Sequence, residues 1–99
     1  MSEPLSRDEI TQIIRPILRR YHASGAALFG SYARGEATQD SDIDLIIYGG
    51  PDFDRTDIFS IAEELFEAPG KRVNVYEASE LNPASDFYSS VKHDEVRVV

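Results

Sequence analysis

The sequence predicts an α/β (α+β) fold, a small mixed β-sheet covered by helices, and three observations predict it. Apolar residues recur with helical period in two long segments. Between and after them lie short apolar runs of strand length, bounded by glycine or proline. The two kinds of segment alternate along the chain, as they do where helices cover a sheet. Ninety-nine residues is the length of one ordinary domain, so residues 1–99 are expected to form a single one.

Ser6-Arg7-Asp8-Glu9 has the spacing of a capping box, and Ile10, Ile13, Ile14, Ile17, Leu18 and Tyr21 follow on one helical face. This predicts a helix from about Arg7 to His22, bent at Pro16, which lacks an amide to donate. Gly25-Ala26-Ala27-Leu28-Phe29 reads as a buried strand closed by Gly30, and Ser31 to Ala37 suits one or two helical turns. Asp42 to Tyr48 is rich in branched apolar residues and is stopped by Gly49-Gly50-Pro51, which makes it the second strand. From Arg55 to Glu67 the residues Ile58, Phe59, Ile61, Ala62, Leu65 and Phe66 recur at helical spacing and predict a second long helix. Pro69-Gly70 then breaks the chain, Arg72 to Tyr76 alternates as a strand, and Pro83 to Val91 suits a last helix. Val96 to Val99 fits either strand or coil.

Eighteen acidic residues against ten basic ones give a formal charge of −8, which repels a phosphate backbone and excludes strong binding of long nucleic acid. A small nucleotide stays compatible, because a divalent metal bridges carboxylates to phosphates and reverses the local sign. No apolar run approaches the roughly 20 residues of a membrane span. Met1-Ser2-Glu3-Pro4 lacks the basic-then-apolar order of a secretory signal, and there is no cysteine for a disulfide scaffold, so a cytoplasmic location is expected.

Three features converge on chemistry. Gly30-Ser31 ends the first strand, ten residues follow, and Asp42-Ile43-Asp44 begins the next. Side chains two apart on a strand share a face, so Asp42 and Asp44 present two carboxylates together while Ile43, Leu45 and Ile47 enter the core. Hard oxygen ligands of this kind suit Mg²⁺, which takes one or two carboxylates plus substrate phosphates and waters. Gly30 lets backbone approach a phosphate closely, Ser31 offers its amide and hydroxyl, and Arg34 lies one turn on with a fork that matches phosphate. Taken singly, a Gly-Ser pair is usually a turn and an Asp-x-Asp is often solvated. All four residues at this spacing arise by chance on the order of once per thousand domains of this size, so the combination carries the argument.

Other patterns lead nowhere. Asp40, Asp42 and Asp44 mimic the start of an EF-hand loop, but Leu45 and Pro51 stand where that loop needs Gly and Glu. His22 and His93 have no cysteine or second histidine at ligand spacing.

The string Gly-Ser-Tyr-Ala-Arg-Gly-Glu-Ala-Thr-Gln-Asp-Ser-Asp-Ile-Asp-Leu, residues 30–45, resembles the signature of the minimal nucleotidyltransferases, or MNT proteins, of the DNA polymerase beta superfamily. The resemblance covers residues 6 to about 92. It implies that Gly30 and Ser31 bind the phosphates of ATP or another nucleoside triphosphate. It also implies that Asp42 and Asp44 are catalytic and carry Mg²⁺, two ions, for in-line transfer of a nucleoside monophosphate with release of pyrophosphate. Many minimal members accompany a helical HEPN ribonuclease as its antitoxin, some by transferring AMP to a tyrosine of that partner. A HEPN-type partner protein and a toxin-antitoxin pair are therefore implied as well. A homo-oligomer is compatible with the sequence.

One position departs from the family pattern. Members that catalyse usually place a third carboxylate on the strand after the second long helix, commonly as Val-Asp-Leu, and here that place reads Val73-Asn74-Val75. Asn74 offers a metal one carbonyl oxygen but carries no charge and takes no proton from an attacking hydroxyl. Glu77 is an odd number of residues further on, which turns it to the opposite strand face. Two functions follow from the sequence: transfer of AMP to a macromolecular acceptor supplied in trans, or a catalytically impaired pseudoenzyme that neutralises a toxin by direct binding.

Overall fold

The computed structural model describes residues 4–67 and 70–99. Its first helix, α1 (Arg7–Arg20), starts where Ser6 Oγ accepts from the Glu9 amide at 3.1 Å and the Glu9 carboxylate accepts from the Ser6 amide at 2.9 Å. Both halves of the capping box are thus formed. The helix continues through Pro16, which sits on its exposed side. It ends two residues before the expected His22, because His22 adopts a left-handed φ of 60° and closes the turn with its amide on the Arg19 carbonyl.

The remaining elements are β1 (Gly25–Phe29), the single-turn α2 (Ser31–Arg34), β2 (Ile43–Tyr48), α3 (Asp57–Glu67), β3 (Val73–Glu77), α4 (Asp86–Asp94) and β4 (Val96–Arg97). Several bounds differ from expectation for local reasons. Gly35 at φ 74° ends α2 before Ala37. The side chain of Asp54 accepts from the Thr56 amide and hydroxyl, and this turn delays α3 to Asp57. Ser85, not Pro83, caps α4, accepting from the Tyr88 amide at 3.0 Å. A single 3₁₀ turn, Ala78–Glu80, follows β3 and has no counterpart in the sequence reading. Of the expected break at Pro69-Gly70, Pro69 lies outside the described residues, as do Met1, Ser2 and Glu3; Gly70 has a φ of 73°.

The strands lie in the order β3-β2-β1-β4. β1 runs antiparallel to β2 and to β4, whereas β2 and β3 are parallel and joined through α3. The sheet is therefore mixed, as the sequence predicts. Its C-terminal edge resolves the ambiguity of residues 96–99 into a two-residue strand, Val96–Arg97: Leu28 faces Val96, and beyond the strand the Val98 amide reaches the Ala26 carbonyl at 2.9 Å.

Two apolar layers flank this sheet. On one face α1 and α3 cover Ala26, Leu28, Ile43, Leu45, Ile47 and Val73, with Ile10, Leu18, Ile61 and Leu65 buried among them. On the other, Ala27, Phe29 and Ile46 pack with Val91 of α4. β1 consequently reads as continuous apolar sequence, because both of its faces are covered. Each fully buried Leu or Ile here contributes about 1.5–3 kcal/mol. Phe59 and Phe66, expected among the inward residues of α3, are instead 76% and 59% exposed. Ile58, Ile61, Ala62 and Leu65 already fill the inward stripe, and these two rings stand about 100° round the helix from it. No described helix is long and apolar enough to cross a membrane.

Replacing Ser6 with Ala removes the cap acceptor and is expected to cost about 1 kcal/mol. For a domain this small that lowers Tm by about 4–8 °C, measured by circular dichroism. An unchanged Tm would show that the box contributes nothing to the fold.

Candidate functional site

The register of the sheet builds the site. Phe29 faces Asp44 across β1 and β2, and Asp44 faces Asn74 across β2 and β3. Asp44 therefore stands in the middle of a three-strand row, one residue from the Gly30 bend. Gly30 has φ 71° and ψ −149°, a region essentially restricted to glycine. A Cβ built on Gly30 would lie 2.6 Å from Asp44 Oδ2. The carboxylate is thus seated directly on the glycine, and any larger residue would occupy its place.

Across the row, Asn74 Nδ2 donates to Asp44 Oδ1 at 3.0 Å. Asn74, at the position where the sequence resemblance leads one to expect a third acid, turns its amide towards the carboxylate, where an acid would bring a second negative charge. Asp42 is exposed and stands one residue before β2 begins. Ser31 opens α2 and is half-buried beside the bend. Tyr32 and Ala33 behind it are buried, so α2 is fastened to the body of the protein although it is a single turn.

Arg34 lies on the exposed side of α2. Its Nε donates to Glu36 at 2.6 Å and its Nη1 to Asp94 of α4 at 2.9 Å. These partners raise the guanidinium pKa further, Glu36 first and Asp94 second. Contact with a phosphate would require Arg34 to exchange one of those carboxylates.

Glu77 lies at the far end of β3, facing Ile47, where it is 7% exposed. Its Oε2 accepts from the Ser79 hydroxyl and, at 3.1 Å, from the Glu80 amide. It caps the 3₁₀ turn and is remote from the Asp44 row.

The chain leading into Asp42 is tied down by itself and by two neighbours. The Thr38 amide donates to Ser41 Oγ at 2.9 Å, and the Ser41 amide donates to the Thr38 carbonyl at 3.1 Å. Lys71 Nζ donates to the Ser41 carbonyl at 3.0 Å and to the Tyr32 hydroxyl at 2.7 Å, and the Ile43 amide donates to the Arg72 carbonyl at 3.0 Å. Sequence reasoning missed Lys71, since nothing in a single sequence marks a lysine before a strand as a tether. It also missed the aromatic group next to the row, in which the rings of Phe29, Tyr76 and Phe87 stand pairwise 5.4–5.7 Å apart. The strand parity of Phe29 and Tyr76 with Asp44 and Asn74 would have signalled it once the register was known.

The donor set is what a metal would meet. Among the described residues no group of three or more His, Cys, Asp or Glu side chains converges as a ready cage. One half-buried carboxylate, one exposed carboxylate and a neutral amide remain, which fits a divalent ion that completes its shell with phosphates and waters.

A strand-glycine-serine bend seated under a carboxylate, within a mixed sheet covered on both faces, defines a nucleotidyltransferase-type domain. The chain belongs to the polymerase beta nucleotidyltransferase family, whose family model matches residues 12–97. It is 37% identical over 76 residues to "Putative protein adenylyltransferase MJ0435" of Methanocaldococcus jannaschii, spanning 77% of this chain and 82% of that protein. A toxin-antitoxin crystal structure with AMP-PNP contains a chain of similar fold, with TM-score 0.73 and 21% identity, covering 90% of this chain and 72% of the other. A complex of a tri-AMPylated Shewanella oneidensis HEPN toxin with MNT antitoxin gives TM-score 0.64 and 17% identity, covering 94% and 68%. At these identities the structural likenesses show the fold.

Gly30→Ala is expected to destabilise the protein by about 1–3 kcal/mol, from the positive φ and the collision with Asp44 together. Denaturant unfolding of Gly30→Ala, Asp44→Ala and the double variant separates the two sources. The double variant should recover the collision and keep the backbone cost, so strictly additive losses would refute the seat.

Proposed function

We propose that this chain is a minimal nucleotidyltransferase that takes AMP from ATP and delivers it to a side chain of a separate protein, a HEPN-type toxin, and so serves as an antitoxin in the cytoplasm. The observation that carries this reading is the Asp44 carboxylate seated on Gly30, an arrangement that would let a metal ligand and a phosphate-binding bend act as one unit. Support comes from the family membership and from the relative named a protein adenylyltransferase. The fold's occurrence in toxin-antitoxin structures, one with AMP-PNP and one with an AMPylated HEPN toxin, points the same way.

In this reading Asp42 and Asp44 hold Mg²⁺, and the Gly30 backbone with the Ser31 amide and hydroxyl receives the triphosphate. Arg34 joins the phosphates after releasing Glu36 or Asp94. Mg²⁺ held by Asp42 and Asp44 would supply neutralisation of the phosphate charge when bound. An acceptor hydroxyl attacks the α-phosphorus, the bond to pyrophosphate breaks, and the hydroxyl proton must go to a base or to water. Asn74 is no such base.

The hydrogen bond from Asn74 to Asp44 favours a second reading, in which the site binds nucleotide poorly or unproductively and the chain neutralises its partner by direct contact. The two separate experimentally. ATP labelled at the α-phosphate, with Mg²⁺ and the purified partner, should label that partner, and Asp42→Ala or Asp44→Ala should abolish the label. Asn74→Asp should raise the rate by about 10²-fold or more, the usual contribution of a positioned base. Inhibition of the partner with no label from either wild type or Asn74→Asp would sink transfer and leave direct binding.

A further inference from the structure

We infer that Lys71 is a positioning residue for the nucleotide and metal site, holding the Asp42 segment against the helix that Ser31 opens. The inference rests on the assignment of Asp42 and Ser31 just proposed, but the contacts that carry it do not. Lys71 stands two residues before β3. Its ammonium bonds the Tyr32 hydroxyl at 2.7 Å and the Ser41 carbonyl at 3.0 Å, and lies 5.2 Å from the centre of the Tyr32 ring. Tyr32 follows Ser31 and is 5% exposed; Ser41 precedes Asp42. One side chain therefore joins the residue after the phosphate-binding serine to the residue before the first aspartate.

The next residue completes the clamp. The Arg72 carbonyl accepts from the Ile43 amide at 3.0 Å, so Asp42 is bracketed by Lys71 on Ser41 and by Arg72 on Ile43. An exposed aspartate outside a strand would otherwise have only its own short turn to place it. Its described contacts are two neutral oxygens and a ring face. In a chain with a charge of −8, that leaves a half-buried cation beside the segment where phosphates would arrive. Both its geometry and its charge favour an ordered Asp42.

The test uses Lys71→Met, Lys71→Arg, Tyr32→Phe and the Lys71→Met/Tyr32→Phe pair, with three readouts. Hydrogen exchange should show Lys71→Met losing protection at the Ile43 amide and the Ser41 amide, with β1 and α3 protected as in wild type. Binding of a fluorescent ATP analogue in a Mg²⁺ titration should weaken about tenfold, the scale of one lost charged hydrogen bond. Lys71→Arg should restore part of it. Tyr32→Phe should weaken binding less, and the double variant should be no worse than Lys71→Met, because both remove one interaction. Wild-type protection at Ile43 and Ser41 in a folded Lys71→Met protein would overturn the inference, as would fully additive losses in protection. Should wild type bind no nucleotide, the proposed function fails, while the exchange data still decide whether Lys71 holds the Asp42 segment.

Discussion

The structure turns on one close approach, the carboxylate of Asp44 lying over the Cα of Gly30. Antiparallel pairing of β1 with β2 brings the two together, and the missing glycine side chain leaves the volume the acid fills. The parallel strand β3 then sets Asn74 beside it, so the third strand decides what the carboxylate can bind on its free side. Ser31, α2 and the Asp42 segment are arranged outward from this point. Without it, the acidic residues would be ordinary surface charges at the end of a sheet.

Such a site has to solve two electrostatic problems. Close carboxylates repel unless something cationic joins them, and a triphosphate approaching a chain of charge −8 meets the same sign. In the proposed function a divalent metal would answer both, because it would neutralise the acids and offset the phosphate charge. The molecule also limits the number of acids it gathers: Asn74 donates a hydrogen bond where a third carboxylate would add charge, and Glu77 is buried at the other end of β3. If the chain transfers AMP as proposed, a strong base has to come from elsewhere, because Asn74 carries no charge.

Much of the fold was legible in the sequence because its signals are local. The capping box at Ser6, the limits of β1 and the strand character of residues 43–48 each follow from a few adjacent side chains. The misreadings have a common source. Phe59 and Phe66 satisfied helical spacing as well as their neighbours did, yet only one stripe of α3 can face the sheet. Asp44 was expected opposite the core, and it does point away from Ile43, Leu45 and Ile47. Its own face is nonetheless a second apolar layer, formed because α4 returns over Ile46 and Phe29. The strand at Val96 exists because β1 offers it a free edge, which no four-residue window reveals.

By itself the sequence determined the residue types of the site: a glycine able to take positive φ, a serine after it, and aspartates two apart. It determined equally that position 74, where a third acid was expected, carries an amide. Only the tertiary structure decided that Asn74 touches Asp44, that Arg34 is held by Asp94, that Glu77 belongs to a turn, and that Lys71 spans from Tyr32 to Ser41. The reason is the range of the forces involved. Backbone conformation and periodicity are set by neighbours along the chain, whereas these contacts join residues brought together by strand register and helix packing.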